Sequence, residues 1–538
     1  GMVQINGIPI LADIAIGRIR VYQEPQSASE TGRGEAFERS RLERALAQVG
    51  ERLGQLYEKA LRETGEEEAA ILEIHQMLLE DEDFQDAVNE RLAEGCSAEY
   101  AVRQAGEDIA QMFSEMDDNM KARAADIRDV ASRLVRILSG TGELELTEPA
   151  ILMAEDLAPS TTIQLDRSKL LGFVTKGGSV NSHTAILSRT LNIPALVQAH
   201  IQPEWDGKLA VIDGVNGVLY VDPNQEILSA MNQVKAQIRQ RRCQLQELKG
   251  KKAITKDGRS VLIYANVGSL YEVELALEND AEGIGLFRSE FLYLNREELP
   301  TEEEQYQIYR KTLELMDDRR VIVRTMDIGA DKKADYLHLD AEENPALGYR
   351  AIRICLDRTD VFRTQLRALL RAAVHGNLSI MYPMIASLDE VLEIREIVQS
   401  VYEELRSEHT PCKMVEQGIM IETPAAAIMS DQLVPYVDFF SIGTNDLTQY
   451  TLAADRQNAR LARYSDPHHP AVLRLIRRVV EEGHKAGIWV GICGELGADP
   501  ALTGQFLEMG IDELSAAPGS VLGLRAHVRE LDLAGGTP

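Results

Sequence analysis

The residues best suited to chemistry begin with one histidine in the stretch Lys176-Gly-Gly-Ser-Val-Asn-Ser-His-Thr-Ala-Ile-Leu-Ser-Arg189. Before it, Leu170 to Thr175 is a short apolar run that ends at a Gly pair and reads as a buried strand. After it, Thr184 to Leu191 can form two helical turns, stopped by Asn192 and Pro194. His183 therefore sits at a strand–Gly loop–helix junction, where free backbone N–H groups and the helix dipole favour an anion. A phosphoryl group carried on the imidazole suits that place, and a packed or capping histidine is the ordinary alternative. A second set lies farther along, in Arg288-Ser-Glu290, Arg324 to Asp327, Glu422-Thr-Pro424, Gly443-Thr-Asn-Asp446 and Cys493-Gly-Glu495, with Arg350 and Arg456 in loops between them. Arginines clamp phosphate and carboxylate oxygens in a bidentate fork. Glu422 and Asp446 offer hard oxygen ligands for Mg²⁺, which keeps waters and binds a substrate phosphate. Such a set fits a small di- or trianion, with developing charge on an enolate or on phosphoryl oxygens neutralised by cations. Cys493 could donate a proton to carbon there, or be a buried apolar thiol.

Those polar groups gain meaning from the elements that carry them. After Lys252 the chain alternates strands and helices, with apolar strands at 261–267, 283–287, 321–325, 378–382, 418–422, 438–442, 489–493 and 513–516. Eight such strands predict a (β/α)₈ barrel over 253–538, with an open doubly wound sheet as the alternative. In a barrel, catalytic groups belong at the C-terminal ends of strands, and the arginines, carboxylates, amide and thiol fall there. Upstream, residues 4–22 read as short strands, and strand signals return at 150–153, 209–213 and 218–221. Together 1–30 and 141–222 predict one α/β domain. From 31 to 140 the Glu-, Leu-, Ala- and Arg-rich composition without the strand pattern predicts an inserted helical subdomain, with apolar positions 42, 45, 46 and 49 on one helical face. Within it, a helix over Glu67–Leu79 is followed by the acidic turn Glu80–Asp83 and by helices near 97–116 and 117–138. Residues 223–252 read as one long polar helix, a linker.

Composition narrows the class. Formal net charge is −29, from 57 basic and 86 acidic residues, which argues against nucleic acid or an anionic membrane and fits either a basic protein partner or acidity that merely serves solubility. Cys96, Cys243, Cys355, Cys412 and Cys493 are scattered without a CxxC pair, as in a reducing cytosol, so a cytoplasmic location is expected. No apolar run reaches the roughly 18 residues of a membrane span.

Leu157-Ala-Pro-Ser-Thr-Thr162, Gly178-Ser-Val-Asn-Ser-His-Thr184, Gly285-Leu-Phe-Arg-Ser-Glu290, Arg324-Thr-Met-Asp-Ile-Gly329, Ile421-Glu-Thr-Pro424 and Ser441-Ile-Gly-Thr-Asn-Asp-Leu-Thr-Gln-Tyr450 resemble, in order and over almost the whole chain, the enzyme I family of the bacterial sugar phosphotransferase system. The resemblance implies a phosphohistidine swivel domain with an inserted helical bundle, then a phosphoenolpyruvate-binding barrel that dimerises. It implies that phosphoenolpyruvate and Mg²⁺ bind the barrel mouth, that His183 takes the phosphoryl group, that Cys493 protonates the pyruvate enolate, and that phospho-His183 passes the group to a histidine of the small carrier protein HPr. Arg288, Arg324, Arg456 and Asn445 would bind substrate with Arg350 nearby, Glu422 and Asp446 would hold magnesium, and the Thr162 hydroxyl would hydrogen-bond the His183 ring. The acidic helix resembles the HPr docking surface, with Glu67, Ile71, His75 and Leu78 as contact residues and Leu72 beside them. Ser179, Val180 and Asn181 stand where the family loop usually has Gly, Arg and Thr, so a positive charge beside the phosphohistidine is missing. A pyruvate phosphate dikinase or phosphoenolpyruvate synthase would need an ATP-binding module, and no P-loop occurs. A non-catalytic regulatory relative is disfavoured by the intact set at the barrel rim.

Overall fold

The short β-branched runs of the N-terminal half assemble into one mixed sheet, and the apolar runs after residue 252 close into a barrel. The computed structural model describes all residues except 26–28, 64–65, 117, 180–181, 295, 333, 457 and 536–538, and describes the backbone only at 63, 66–67, 118–119, 121–122, 159–160, 183, 186 and 190. The chain divides into two units, Gly1–Arg241 and Arg242–Pro538.

In the first unit the strands are β1 (Val3–Asn6), β2 (Ile8–Ile10), β3 (Ile14–Val21), β4 (Ala150–Ala154), β5 (Leu170–Thr175), β6 (Ala195–Val197), β7 (Leu209–Asp213) and β8 (Val218–Val221). They pair in the order β1-β8-β7-β3-β4-β5-β6-β2. The central β3-β4-β5-β6 pairs are parallel and the flanking pairs antiparallel. A parallel centre is covered on both faces, so β4 is apolar throughout. Leu152 and Ala154 enter one core, Ile151 and Met153 the other. Between β3 and β4 the chain forms α1 (Glu35–Glu63), α2 (Glu66–Leu79), α3 (Glu82–Ala93), α4 (Ala98–Ser114) and α5 (Asp118–Leu138), packed on a core of their own. Helices α4 and α5 approach closely at Gly106, where a Cβ would lie 2.7 Å from that of Ala131. The acidic stretch at 80–83 does more than turn the chain. The Asp81 carboxylate accepts from the N–H groups of Asp83 and Phe84 and starts α3, a helix absent from the sequence reading. The unit continues through α6 (Pro159–Ile163) and α7 (His183–Leu191), and α8 (Gln225–Gln246), which buries none of its residues, runs across the boundary between the units.

In the second unit β9 (Leu262–Val267), β10 (Ile284–Arg288), β11 (Val321–Arg324), β12 (Leu378–Tyr382), β13 (Glu416–Ile421), β14 (Phe439–Ile442), β15 (Trp489–Ile492) and β16 (Glu513–Ala516) pair in parallel, each with the next, and β16 closes on β9. The expected barrel is present and the open sheet is excluded. Inside it Tyr264, Leu286, Ile322, Met381, Met420, Phe439 and Cys493 pack together. Phe439 stacks on Trp489 at 4.5 Å, and Gly418 leaves its ring room, since a Cβ there would meet the ring at 2.5 Å. A larger apolar layer lies between the strands and the surrounding helices. Among the described residues no helix is long and apolar enough to cross a membrane.

Candidate functional site

The C-terminal ends of the barrel strands surround a cavity of about 600 Å³, lined by Arg288, Arg324, Arg350, Arg456, Asn445, Glu422, Asp446 and Cys493. The structure thus brings together the barrel residues expected to bind substrate, hold a metal or donate the proton. Arg288 ends β10 with its side chain nearly half exposed, 4.0 Å from Glu272 and over Gly268. Arg324 ends β11, and its Nη2 donates to Glu290 Oε2 at 3.1 Å while Nη1 lies 3.3 Å from Asp327. Arg350 Nη2 donates to Asp327 Oδ1 at 2.8 Å and stands 3.6 Å from Asp446, and its Nη1 donates to the Tyr450 hydroxyl at 3.2 Å. The Asp327 N–H in turn donates to Glu290 Oε1 at 2.9 Å. Glu290 and Asp327 therefore hold two guanidiniums in fixed orientation, so that little reorganisation remains when an anion enters.

The other groups are fixed by loops. Glu422 follows β13, and its Oε1 accepts the Met384 N–H at 2.6 Å. Met384 has a φ of 60°, a left-handed conformation that a non-glycine residue adopts only under constraint. Asn445 is near the start of the helix Thr444–Leu452, and its Oδ1 accepts the Glu495 N–H at 3.0 Å. The Arg456 backbone N–H donates to Gln449 at 3.1 Å and its side chain is exposed. Cys493 is 3% exposed, with Sγ 3.6 Å from the Ile442 carbonyl.

Charge is distributed unevenly. Burial would lower the Arg324 and Arg350 pKa values, but the carboxylates Glu290, Asp327, Asp446 and Glu422 outweigh it and keep both charged. Burial would raise Asp327, yet Arg324 and Arg350 bring it below the usual range. Glu422 is pushed well up, first by burial and then by the charges of Asp327 and Asp446. A cation beside Glu422 and Asp446 would relieve that repulsion, so the donor set fits a divalent metal. Among the described residues no cluster of three or more His, Cys, Asp or Glu side chains is placed to hold a metal. Two carboxylates with water and substrate oxygens is a coordination typical of Mg²⁺. Burial raises the Cys493 thiol to about 12, so it is protonated at neutral pH, as a proton donor must be.

In the first unit the backbone places His183 at the first position of α7, after β5 and the loop that contains Gly177 and Gly178. Ser182 caps the helix by accepting the Ala185 N–H at 3.4 Å, and Asn192 ends it in a left-handed conformation. The His183 side chain and residues Val180 and Asn181 lie outside the described residues, as does the side chain of Glu67. Thr162 is buried in α6.

Several of the side chains expected to dock a partner face into the helical bundle. His75 is 1% exposed, with Nε2 2.9 Å from Asp126 and Nδ1 3.3 Å from Asp129, and Leu78 and Leu72 are buried in the bundle core. The reason is helical period: Leu72, His75 and Leu79 share the inward face of α2, whereas Ala70, Glu73 and Met77 share the outward one. Ile71 is half-buried, and Met77 is 67% exposed. The same periodicity, applied to 66–79, points to Met77 from sequence. Also unassigned from sequence were Asn266, whose Nδ2 donates to the Cys493 carbonyl at 2.8 Å, and Lys332, both lining the barrel cavity. The position of Asn266, a polar residue next to last in an apolar strand, was the available signal.

Three stretches of the chain match families of known proteins. Residues 242–533 match the family described as PEP-utilising enzyme, PEP-binding domain; 6–123 match PEP-utilising enzyme, N-terminal; and 146–217 match PEP-utilising enzyme, mobile domain. The phosphoenolpyruvate-protein phosphotransferase of Geobacillus stearothermophilus is 43% identical over 537 residues, covering 98% of this chain and 93% of that protein. Those of Bacillus subtilis and Haemophilus influenzae are each 41% identical over 540 residues, covering 98% of this chain and 94 to 95% of theirs.

Proposed function

Since the chain belongs to the family of phosphoenolpyruvate-protein phosphotransferases, the enzymes of the first step of the phosphotransferase system, we propose that it phosphorylates itself on His183 from phosphoenolpyruvate and passes the group to a histidine of HPr. The observation that carries the reading is the cavity at the barrel mouth, where oriented arginines and paired carboxylates surround a buried protonated thiol.

Arg288, Arg324, Arg350 and Arg456, with Asn445, bind the carboxylate and phosphate of the substrate. Glu422 and Asp446 would hold Mg²⁺, which when bound neutralises phosphoryl oxygens and the enolate. The His183 imidazole attacks phosphorus, an N–P bond forms and the bridging C–O–P bond breaks on the phosphorus side. The enolate left behind takes the Cys493 thiol proton on its terminal carbon and leaves as pyruvate. A phosphate on nitrogen remains highly transferable, which suits a relay. Thr162 supplies the hydroxyl that orients the His183 ring. The assignment of domains is 1–30 and 141–222 for the carrier, 31–140 for HPr docking, 253–538 for phosphoenolpyruvate and self-association into a homodimer, and 223–252 as the swivel that lets one histidine serve both sites. On α2 the docking face is the outward one, Glu73 and Met77 with the half-buried Ile71, and Glu80 lies just past its end. The protein acts in the cytoplasm on the path of sugar uptake.

The test is stoichiometric. With phosphoenolpyruvate and Mg²⁺ but no acceptor, the enzyme forms one equivalent of pyruvate per chain and stops, and His183→Ala forms none. Continuous pyruvate production without acceptor, or an undiminished burst in His183→Ala, overturns the reading.

A further inference from the structure

Below the cavity, the barrel interior holds a polar group that the reaction described above leaves unused. Ser441 of β14, Gly491 of β15 and Glu513 of β16 are register partners on adjacent parallel strands. Register partners present the same face of the sheet, and Ser441 and Glu513 are both wholly buried. Gly491 leaves room for the carboxyl, since a Cβ there would lie 2.0 Å from Glu513 Oε2. Gly285 does the same for the other carboxyl oxygen, because a Cβ there would lie 2.6 Å from Oε1. The carboxyl is thus seated in a slot that two glycines make.

Its hydrogen bonding is incomplete. The Ser515 hydroxyl donates to Oε1, but Oε2 has no partner among the described residues, and neither has the Ser441 hydroxyl. Buried polar atoms are nearly always satisfied, and exceptions mark internal water or chemistry. Cys493 is two residues beyond Gly491, so it faces the same way. Its thiol interacts with the Ser441 hydroxyl, while its own hydrogen bond goes to the Ile442 carbonyl at 3.6 Å. An acid, an orphan hydroxyl and the thiol therefore line up inside the barrel, beneath the mouth. Burial, opposed by the Ser515 hydrogen bond and by Arg320, places the Glu513 pKa at about 8, where an acid both holds and releases a proton near neutrality.

We propose that Glu513 is a positioning residue that recharges the reaction's proton donor: through an internal water and the Ser441 hydroxyl, its carboxyl returns a proton to Cys493 after each turnover. The inference rests on the assignment of Cys493 as the donor. In the step, the Cys493 S–H bond breaks, its proton goes to the enolate carbon, and a thiolate remains. The Ser441 proton moves to sulfur, the water supplies Ser441, and the Glu513 O–H bond breaks to restore the water. The carboxylate regains its proton from solvent, and no electrons change hands between redox states.

The relay separates first from later turnovers. Glu513→Gln keeps shape but cannot give up a proton, and Cys493 still carries its own at the start. In rapid mixing with phosphoenolpyruvate and Mg²⁺, the variant forms its first equivalent of pyruvate at the wild-type rate. With excess HPr its later turnovers slow on the order of tenfold, with a larger solvent deuterium isotope effect. Ser441→Ala shows the same split and serves if Glu513→Gln does not fold. Equal slowing of both phases means a merely structural role, and no slowing of either means no relay; each overturns the proposal. If Cys493→Ser forms its first equivalent at the wild-type rate, the donor assignment itself falls.

Discussion

Glu513→Gln also tests the electrostatics of the barrel interior, independently of catalysis. In the folded protein the carboxyl titrates at about 8 against an ordinary value of 4.5, chiefly because it is buried. Between those values the unfolded chain has lost the proton and the folded chain keeps it. The unfolded state then binds fewer protons, so the wild-type protein loses stability as pH rises through this window and levels off above it. A gap of 3.5 pH units, at about 1.4 kcal/mol per unit, makes the loss roughly 5 kcal/mol. Glutamine has no such proton, and the remaining groups titrate alike in both proteins. The stability of wild type minus that of the variant should therefore fall by about 1.4 kcal/mol per pH unit between pH 5 and 8. Urea denaturation followed by tryptophan fluorescence measures it. Trp489 is in the barrel and stacked on Phe439, so a Trp205→Phe background leaves the barrel as the only reporter. A difference that stays constant from pH 5 to 8 would refute the reasoning, because the carboxyl would then be ionised in both states.

Gly491→Ala drives a methyl against Glu513 Oε2 and should cost about 1–3 kcal/mol by overpacking, measured as a shift in denaturation midpoint and smaller in a Glu513→Ala background. Arg350→Lys keeps the charge but loses the fork that joins Asp327 and Tyr450, and kcat for pyruvate formation should fall on the order of a hundredfold. Met77→Asp should weaken HPr binding on the order of tenfold in calorimetry with no change in thermal unfolding. His75→Ala should do the reverse and lower the melting temperature of the helical bundle, since it strips the buried partner from Asp126 and Asp129.

The barrel was legible because each strand is a bounded apolar run, and the site because its charged groups stand where those runs end, as Arg288 and Arg324 do. Spacing along one strand says nothing of depth across a closed sheet. Glu513 opens its strand and reads from sequence as an end residue, yet closure turns it inward between Gly285 and Gly491. Asn266 shows in the sequence only as one polar residue within an apolar strand, and Glu290 and Asp327, visible as rim carboxylates, gain their role as guanidinium props only from distances. On α2, acidity marks the segment, but residue chemistry alone does not say which face each side chain shares. His75 and Leu78 face inward. Helix α3 was missed because Asp81, counted as part of an acidic turn, is a helix cap.

The central claim is that His183 carries the phosphoryl group between two sites, and its most direct test is to find the phosphate. The full chain is incubated with phosphoenolpyruvate and Mg²⁺, digested under alkaline conditions that preserve phosphohistidine, and mapped by mass spectrometry, with and without a chase of HPr. Phosphate is expected on His183 alone, in the peptide spanning 176–189, and is expected to pass to HPr in the chase. Phosphate on another residue, or phosphate on His183 that HPr does not remove, would contradict the claim.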